Sequence, residues 1–151
     1  DPEVLVAIGG LAGISAATGL KTATATAMRF VVGTTAATDF TEGSSSQTLT
    51  CQVTWDEQIT VTGNPTIVVA NGNQSGNLNG DYTLVYTATG STANRKRFTL
   101  AGQSLSATDV LTLGGANVVL AGGTLKDQGT TPADASLVLS GLTAVTHTVA
   151  A

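Results

Sequence analysis

His147 and Cys51 are the only histidine and the only cysteine in this 151-residue chain, so any Ser-His or Cys-His dyad would have to use His147. His147 stands in the alternating run Val145-Thr146-His147-Thr148-Val149 near the end of the sequence. A strand histidine at a surface or interface is the expected role there. Cys51 falls on the same period-two face as Leu49, Val53 and Trp55, which predicts a buried core thiol. A reactive thiolate needs an exposed, electropositive setting instead. One His and one Cys supply too few nitrogen and sulfur ligands for a tetrahedral zinc site. Oxygen ligands for calcium would have to come from Asp56, Glu57, Asp127 or Asp134, and no Asp-x-Asp-x-Asp spacing gathers them. Asp56 and Glu57 are adjacent, so a strand would send them to opposite faces, and turn charges are their expected role. The glycines of "GLAGISAATGLK" follow no strand and lack a phosphate-binding spacing. The expectation is no catalytic site, no cofactor and no metal, with calcium on those carboxylates as the alternative.

Arg95, Lys96 and Arg97 hold three of the six basic residues. Two readings stand. They form a solvated hairpin end, or they meet an acidic patch on a neighbouring subunit, where charge acts mainly on steering and orientation. Asn73-Gln74-Ser75 is a formal glycosylation sequon, meaningful only in a secretory host.

Composition narrows the classes. Charged residues make up 11% of the chain, against roughly 25% in an ordinary soluble domain, and Thr, Ala and Gly fill the gap. Little repulsion keeps copies of such a surface apart, which favours life in an assembly. The net charge of -4 argues against a general nucleic-acid binder, which needs a basic face for phosphates. A lone cysteine leaves the redox compartment open.

The elements that must position these residues divide into two blocks. Residues 1–37 form an N-terminal arm. "DPEVLVAIGG" opens like a short helix, with Asp1 as cap, Pro2 in the first turn and Gly9-Gly10 as the end. Two readings stand for it, a loose N-terminal tail or an arm that orders only against a neighbouring subunit; Val4, Leu5, Val6, Ile8, Leu11 and Ile14 give it more apolar character than ordinary disorder carries, which favours the arm. Val4 to Leu20 is uncharged but rich in glycine and shorter than the about 20 apolar residues of a membrane span. Asp1 and Glu3 stand where a signal peptide would carry basic residues. No membrane span is expected.

From Met28 the texture changes to strands and turns, and residues 38–151 are expected to form an antiparallel β-sandwich. Candidate strands are "AMRFVV", Leu49–Trp55, Ile59 with Val61, "TIVVA", "YTLVYTA", "KRFTLAG", "DVLTLGG", "NVVLAGG", "ASLVLSG" and "AVTHTVA". No helix is expected after residue 20.

"TLTCQVTWDEQITVTGNPTIV" resembles the opening of the SWM-type bacterial Ig-like repeats, which read "TFTVTFSE" and then "VTVTGTPTL". Trp55 stands where that family usually carries Phe. "GANVVLAGGTLKDQGTTPADASLVL" resembles the family's "LNGGTIKDAAGNAADLSL", with Gly122, Gly123, Thr124, Lys126 and Asp127 aligned. The likeness covers about residues 40–140 and implies an Ig-like sandwich. The family occurs as tandem repeats in very long chains, whereas this chain has one copy behind an unrelated arm. "STANRKRFTLAGQ" also departs from the family's acidic connection. A lone Ig-like module behind an arm resembles a capsid decoration protein of a tailed phage, which implies a virion-surface location, with shell protein and further copies of itself as partners. An adhesion module of a bacterial surface protein, and a filament subunit whose arm donates a strand, are the alternatives.

Overall fold

In a computed structural model of the chain, the described residues are 22–32, 35–36, 47–72, 80–129 and 131–150. Ten strands follow one another: β1 (Ala25–Val32), β2 (Thr35–Ala36), β3 (Gln47–Trp55), β4 (Ile59–Thr62), β5 (Thr66–Gly72), β6 (Tyr82–Thr87), β7 (Arg95–Gln103), β8 (Val110–Leu113), β9 (Thr124–Asp127) and β10 (Val145–Thr148). Threonine and valine dominate several of them, because β-branched side chains restricted at χ1 pack well on a pleated surface. No helix occurs among the described residues, and none of them forms a helix long and apolar enough to cross a membrane.

Eight strands form one antiparallel sheet in the order β10-β8-β5-β6-β7-β3-β1-β2, and β4 pairs with β9 in a separate ribbon. β5 is where the large sheet divides. Its first half, Thr66 to Val69, pairs with β6, and its second half, Ala70 to Gly72, pairs with β8. β10, at one end of the sheet, meets β1, the strand next to the other end: the rings of Phe30 on β1 and His147 on β10 sit edge to face, 6.3 Å between centroids. The sheet thus folds over on itself into a barrel-like sandwich.

β3 organises the interior. Leu49, Cys51, Val53 and Trp55 alternate into it and are fully buried. Phe98 lies opposite Cys51 on β7, while Ile67, Leu84 and Leu111 come from β5, β6 and β8 to the same core. The alternation read from the sequence is therefore the actual inward face of the sheet.

The strand expected at "AMRFVV" forms as β1 and pairs with β3, inside the stretch 1–37 that composition set apart. Ala23, Met28 and Phe30 join the core. Two expectations change. "NVVLAGG" is not a strand. Val119 bridges Thr66 through reciprocal hydrogen bonds of 2.8 and 2.9 Å, and then Ala121 (φ 49°) and Gly122 (φ 83°) turn left-handed and end the extended run. "ASLVLSG" is not a strand either. Ala135 N–H donates to Leu125 O, Val118 N–H donates to Leu137 O, and Leu139 N–H donates to the Asn117 side chain, so its partners are scattered and no ladder forms. Leu139 is nonetheless fully buried and helps to cover the core. The expected helix at the start of the arm, the residues Val4, Leu5, Val6, Ile8, Leu11 and Ile14, and the Asn73 sequon lie outside the described residues.

Candidate interaction surface

The outward face of β1-β3-β7 carries basic residues in register. Gln52 on β3 stands opposite Arg29 on β1 and opposite Arg97 on β7, so the three make one row across the sheet. One step along the strands, Thr54 stands opposite Ala27 and Arg95. Arg29, Gln52, Thr54 and Arg95, with Ala27 and Met28, line a groove of about 250 Å³. Two guanidinium groups, an amide and a hydroxyl supply its polar character. Among the described residues, neither Arg29 nor Arg95 pairs with a carboxylate. The Nε of Arg29 is buried without a hydrogen-bond partner.

Arg95, Lys96 and Arg97 do not act as one patch. Successive strand residues face opposite sides. Arg95 is exposed and Arg97 half-buried on the outer face, while Lys96 turns to the inner face and is buried. Burial pushes the Lys96 ammonium below its ordinary pKa, and its Nζ donates to Thr92 O at 2.7 Å. Arg95 Nε donates to Thr92 Oγ1 at 3.3 Å, and the Arg97 backbone N–H donates to Ser91 Oγ at 2.9 Å. The Arg97 guanidinium lies over Gly90, where an added Cβ would come within 2.6 Å of Nη1. All three residues therefore hold the β6–β7 turn, and the structure adds Arg29, which sequence reasoning missed. The signal was present: Arg29 is the polar residue between inward Met28 and Phe30 in "AMRFVV".

A second recess adjoins the groove. Asp56, Glu57, Gln58, Asn94, Gln128 and Gly129 border a polar cleft of about 500 Å³. Asn94 lines this cleft and Arg95, the next residue, lines the basic groove. Asp56 follows buried Trp55 at a bend and fastens the start of β1, accepting Thr24 N–H at 2.8 Å and Thr24 Oγ1–H at 2.9 Å. The carboxylates considered for calcium are not gathered. Asp127 is buried and its Oδ1 accepts the backbone N–H groups of Gly129 and Ala133, while Asp134 pairs with Lys126 at 2.8 Å. Among the described residues, no three His, Cys, Asp or Glu side chains come together as a metal site.

The residues considered for nucleophilic chemistry take packing roles. Cys51 is a fully buried thiol whose pKa is driven well up by desolvation, so it stays protonated. His147 is half-buried against Phe30.

No protein-family model matches the chain, and no curated protein or solved structure is significantly similar to it.

Proposed function

We propose that this chain is a non-enzymatic structural protein of a virion surface, of the capsid decoration type. The arm grips the shell and an Ig-like sandwich projects from it. The observation that carries this reading is the outward basic face of β1-β3-β7: among the described residues, Arg29 and Arg95 present guanidinium groups without carboxylate partners, on a chain whose net charge is -4. Such a face suits docking on another protein surface, where charge sets orientation and encounter rate. The low charge content, the core placement of Cys51 and the packing of His147 on Phe30 support a module made for contact. The likeness to SWM-type Ig-like repeats supports the sandwich assignment.

In this reading the arm attaches by burying Val4, Leu5, Val6, Ile8, Leu11 and Ile14 against the shell, which would contribute roughly 25 cal/mol per Å² of apolar area. Ordering the arm opposes this by about 1–2 kcal/mol per residue. Repetition over a symmetric lattice makes the attachment durable through avidity. The test is co-sedimentation with shells that lack the protein. The full chain is expected to bind, and the chain without residues 1–21 to remain in the supernatant. Equal binding by both would overturn attachment through the arm, and failure of the full chain to bind any shell would overturn the virion assignment.

A further inference from the structure

We propose that the basic groove and the acidic cleft together form a self-complementary contact between two copies of this chain, related by a two-fold axis. The inference rests on the structural role proposed above and names one partner for it.

The groove brings Arg29 and Arg95 to the outer face of the sheet, and the cleft brings Asp56 and Glu57 beside it. The recesses adjoin at consecutive residues, Asn94 on one side and Arg95 on the other. A positive and a negative patch side by side become complementary to themselves when a second copy is turned by half a rotation about an axis between them. Arg95 of each copy then meets Glu57 of the other, twice per contact. Within one chain this pairing is not made: Arg95 uses Thr92 Oγ1 as its partner. Charge complementarity selects the second copy. The groove has no acidic lining residue and the cleft has no basic one, so each supplies what the other lacks. A carboxylate from another copy would also approach Arg29, which lines the same groove as Arg95. Guanidinium–carboxylate pairing of this kind is directional and fixes register.

The experiment is sedimentation velocity on the full chain at about neutral pH, at low salt and again at about 0.5 M salt, where the screening length falls to a few ångströms. The wild-type chain is expected to dimerise at low salt and to dissociate at high salt. Arg95→Glu and Glu57→Lys are each expected to weaken the dimer at least tenfold, because each places like charges together at both contacts. Circular dichroism establishes that both remain folded. Mixing the two variants is the decisive step. In a mixed dimer one contact joins the two substituted positions, an introduced carboxylate against an introduced ammonium. The other contact keeps the native pair of Glu57 with Arg95. The mixture is therefore expected to regain the dimer that neither variant forms alone. A wild-type monomer at every concentration, a dimer indifferent to both substitutions, or variants that fail to complement would each overturn the contact. If Arg95→Glu loses shell binding while self-association is unchanged, the groove faces the shell protein and the two-fold contact is wrong. Shell binding by a strictly monomeric chain would likewise overturn the contact while leaving the virion role standing.

Discussion

The indole Nε1 of Trp55 donates to the backbone carbonyl of Ser136 at 3.0 Å, across a separation of 81 residues. This bond joins the end of β3 to a segment that belongs to no strand. Ser136 N–H in turn donates to Ala23 O at 2.8 Å, so one residue links the core tryptophan, the irregular cover and the start of β1. Trp55→Ala is expected to cost about 3–5 kcal/mol in chemical denaturation, through the cavity and the lost bond. Trp55→Phe is expected to cost about 1–3 kcal/mol, mainly by leaving the Ser136 carbonyl without its donor. Equal stability of wild type and Trp55→Ala would remove Trp55 from the core.

Gly63 and Gly123 mark the close approach at the β4–β9 ribbon. Gly63 has φ +69°, and a Cβ there would stand 2.7 Å from the Cα of Gly123. Gly102 has a similar φ of +70° with open space around it. Both Gly→Ala changes introduce backbone strain, but only Gly63→Ala adds a collision with main chain. Gly63→Ala is expected to cost about 1–3 kcal/mol and Gly102→Ala less. At about 2–4 °C per kcal/mol for a chain of this size, the difference is readable in thermal melts. A larger loss at Gly102 would contradict the ribbon geometry.

Cys51 gives the fold a dependence on alkaline pH. Its folded pKa is raised by burial, so the native thiol stays neutral while the unfolded thiol ionises near about pH 8.5. The unfolded state then binds fewer protons, and the stability contribution present below that pH is lost as pH rises, by up to about 1.4 kcal/mol per pH unit. Lys96 acts in the opposite sense. Its folded pKa is lowered, so it costs stability while charged, and that cost is relieved as pH rises toward the unfolded lysine value. Comparing wild type with Cys51→Ala between about pH 8 and 10 isolates the cysteine, and the variant is expected to lose its share of the alkaline decline. Parallel curves would show that Cys51 is not buried as a neutral thiol. Native Cys51 is also expected to resist a thiol reagent until the chain is unfolded.

The start of β1 is tied to the residue after β3. Ala23 is fully buried, and Thr24 is held by both carboxylate oxygens of Asp56. Removal of residues 1–21 is expected to leave a cooperative thermal transition and a β-rich circular dichroism spectrum. Removal of residues 1–27 is expected to abolish both, because it takes Ala23, the Asp56 contact and the first part of β1. A folded chain after the longer truncation would mean that β1 is dispensable.

Period-two patterning made much of the sheet legible. Leu49, Cys51, Val53 and Trp55 are the inward face of β3, as their spacing implies, and Tyr82 and Leu84 behave alike on β6. The pattern misled at "NVVLAGG" and "ASLVLSG", which are apolar enough for strands but carry buried side chains on irregular backbone. An apolar run reports burial, and the ladder depends on a partner that is not written locally. The candidate surface was half legible. Three consecutive basic residues stood out, yet alternation separates Lys96 from Arg95 and Arg97, and Arg29 joins them only through pairing with Gln52.

By itself the sequence determined an all-β chain, an inward face for β3, a core thiol and a chain poor in charge. These follow from side-chain chemistry and the two-residue repeat of a strand, both of which are local. Only the tertiary structure decided that β1 pairs with β3, that β5 divides its pairing between β6 and β8, and that Arg95 opens on a basic groove while Asn94 opens on an acidic cleft. Those outcomes depend on register between strands dozens of residues apart, and register is settled by the packing of whole faces against one another.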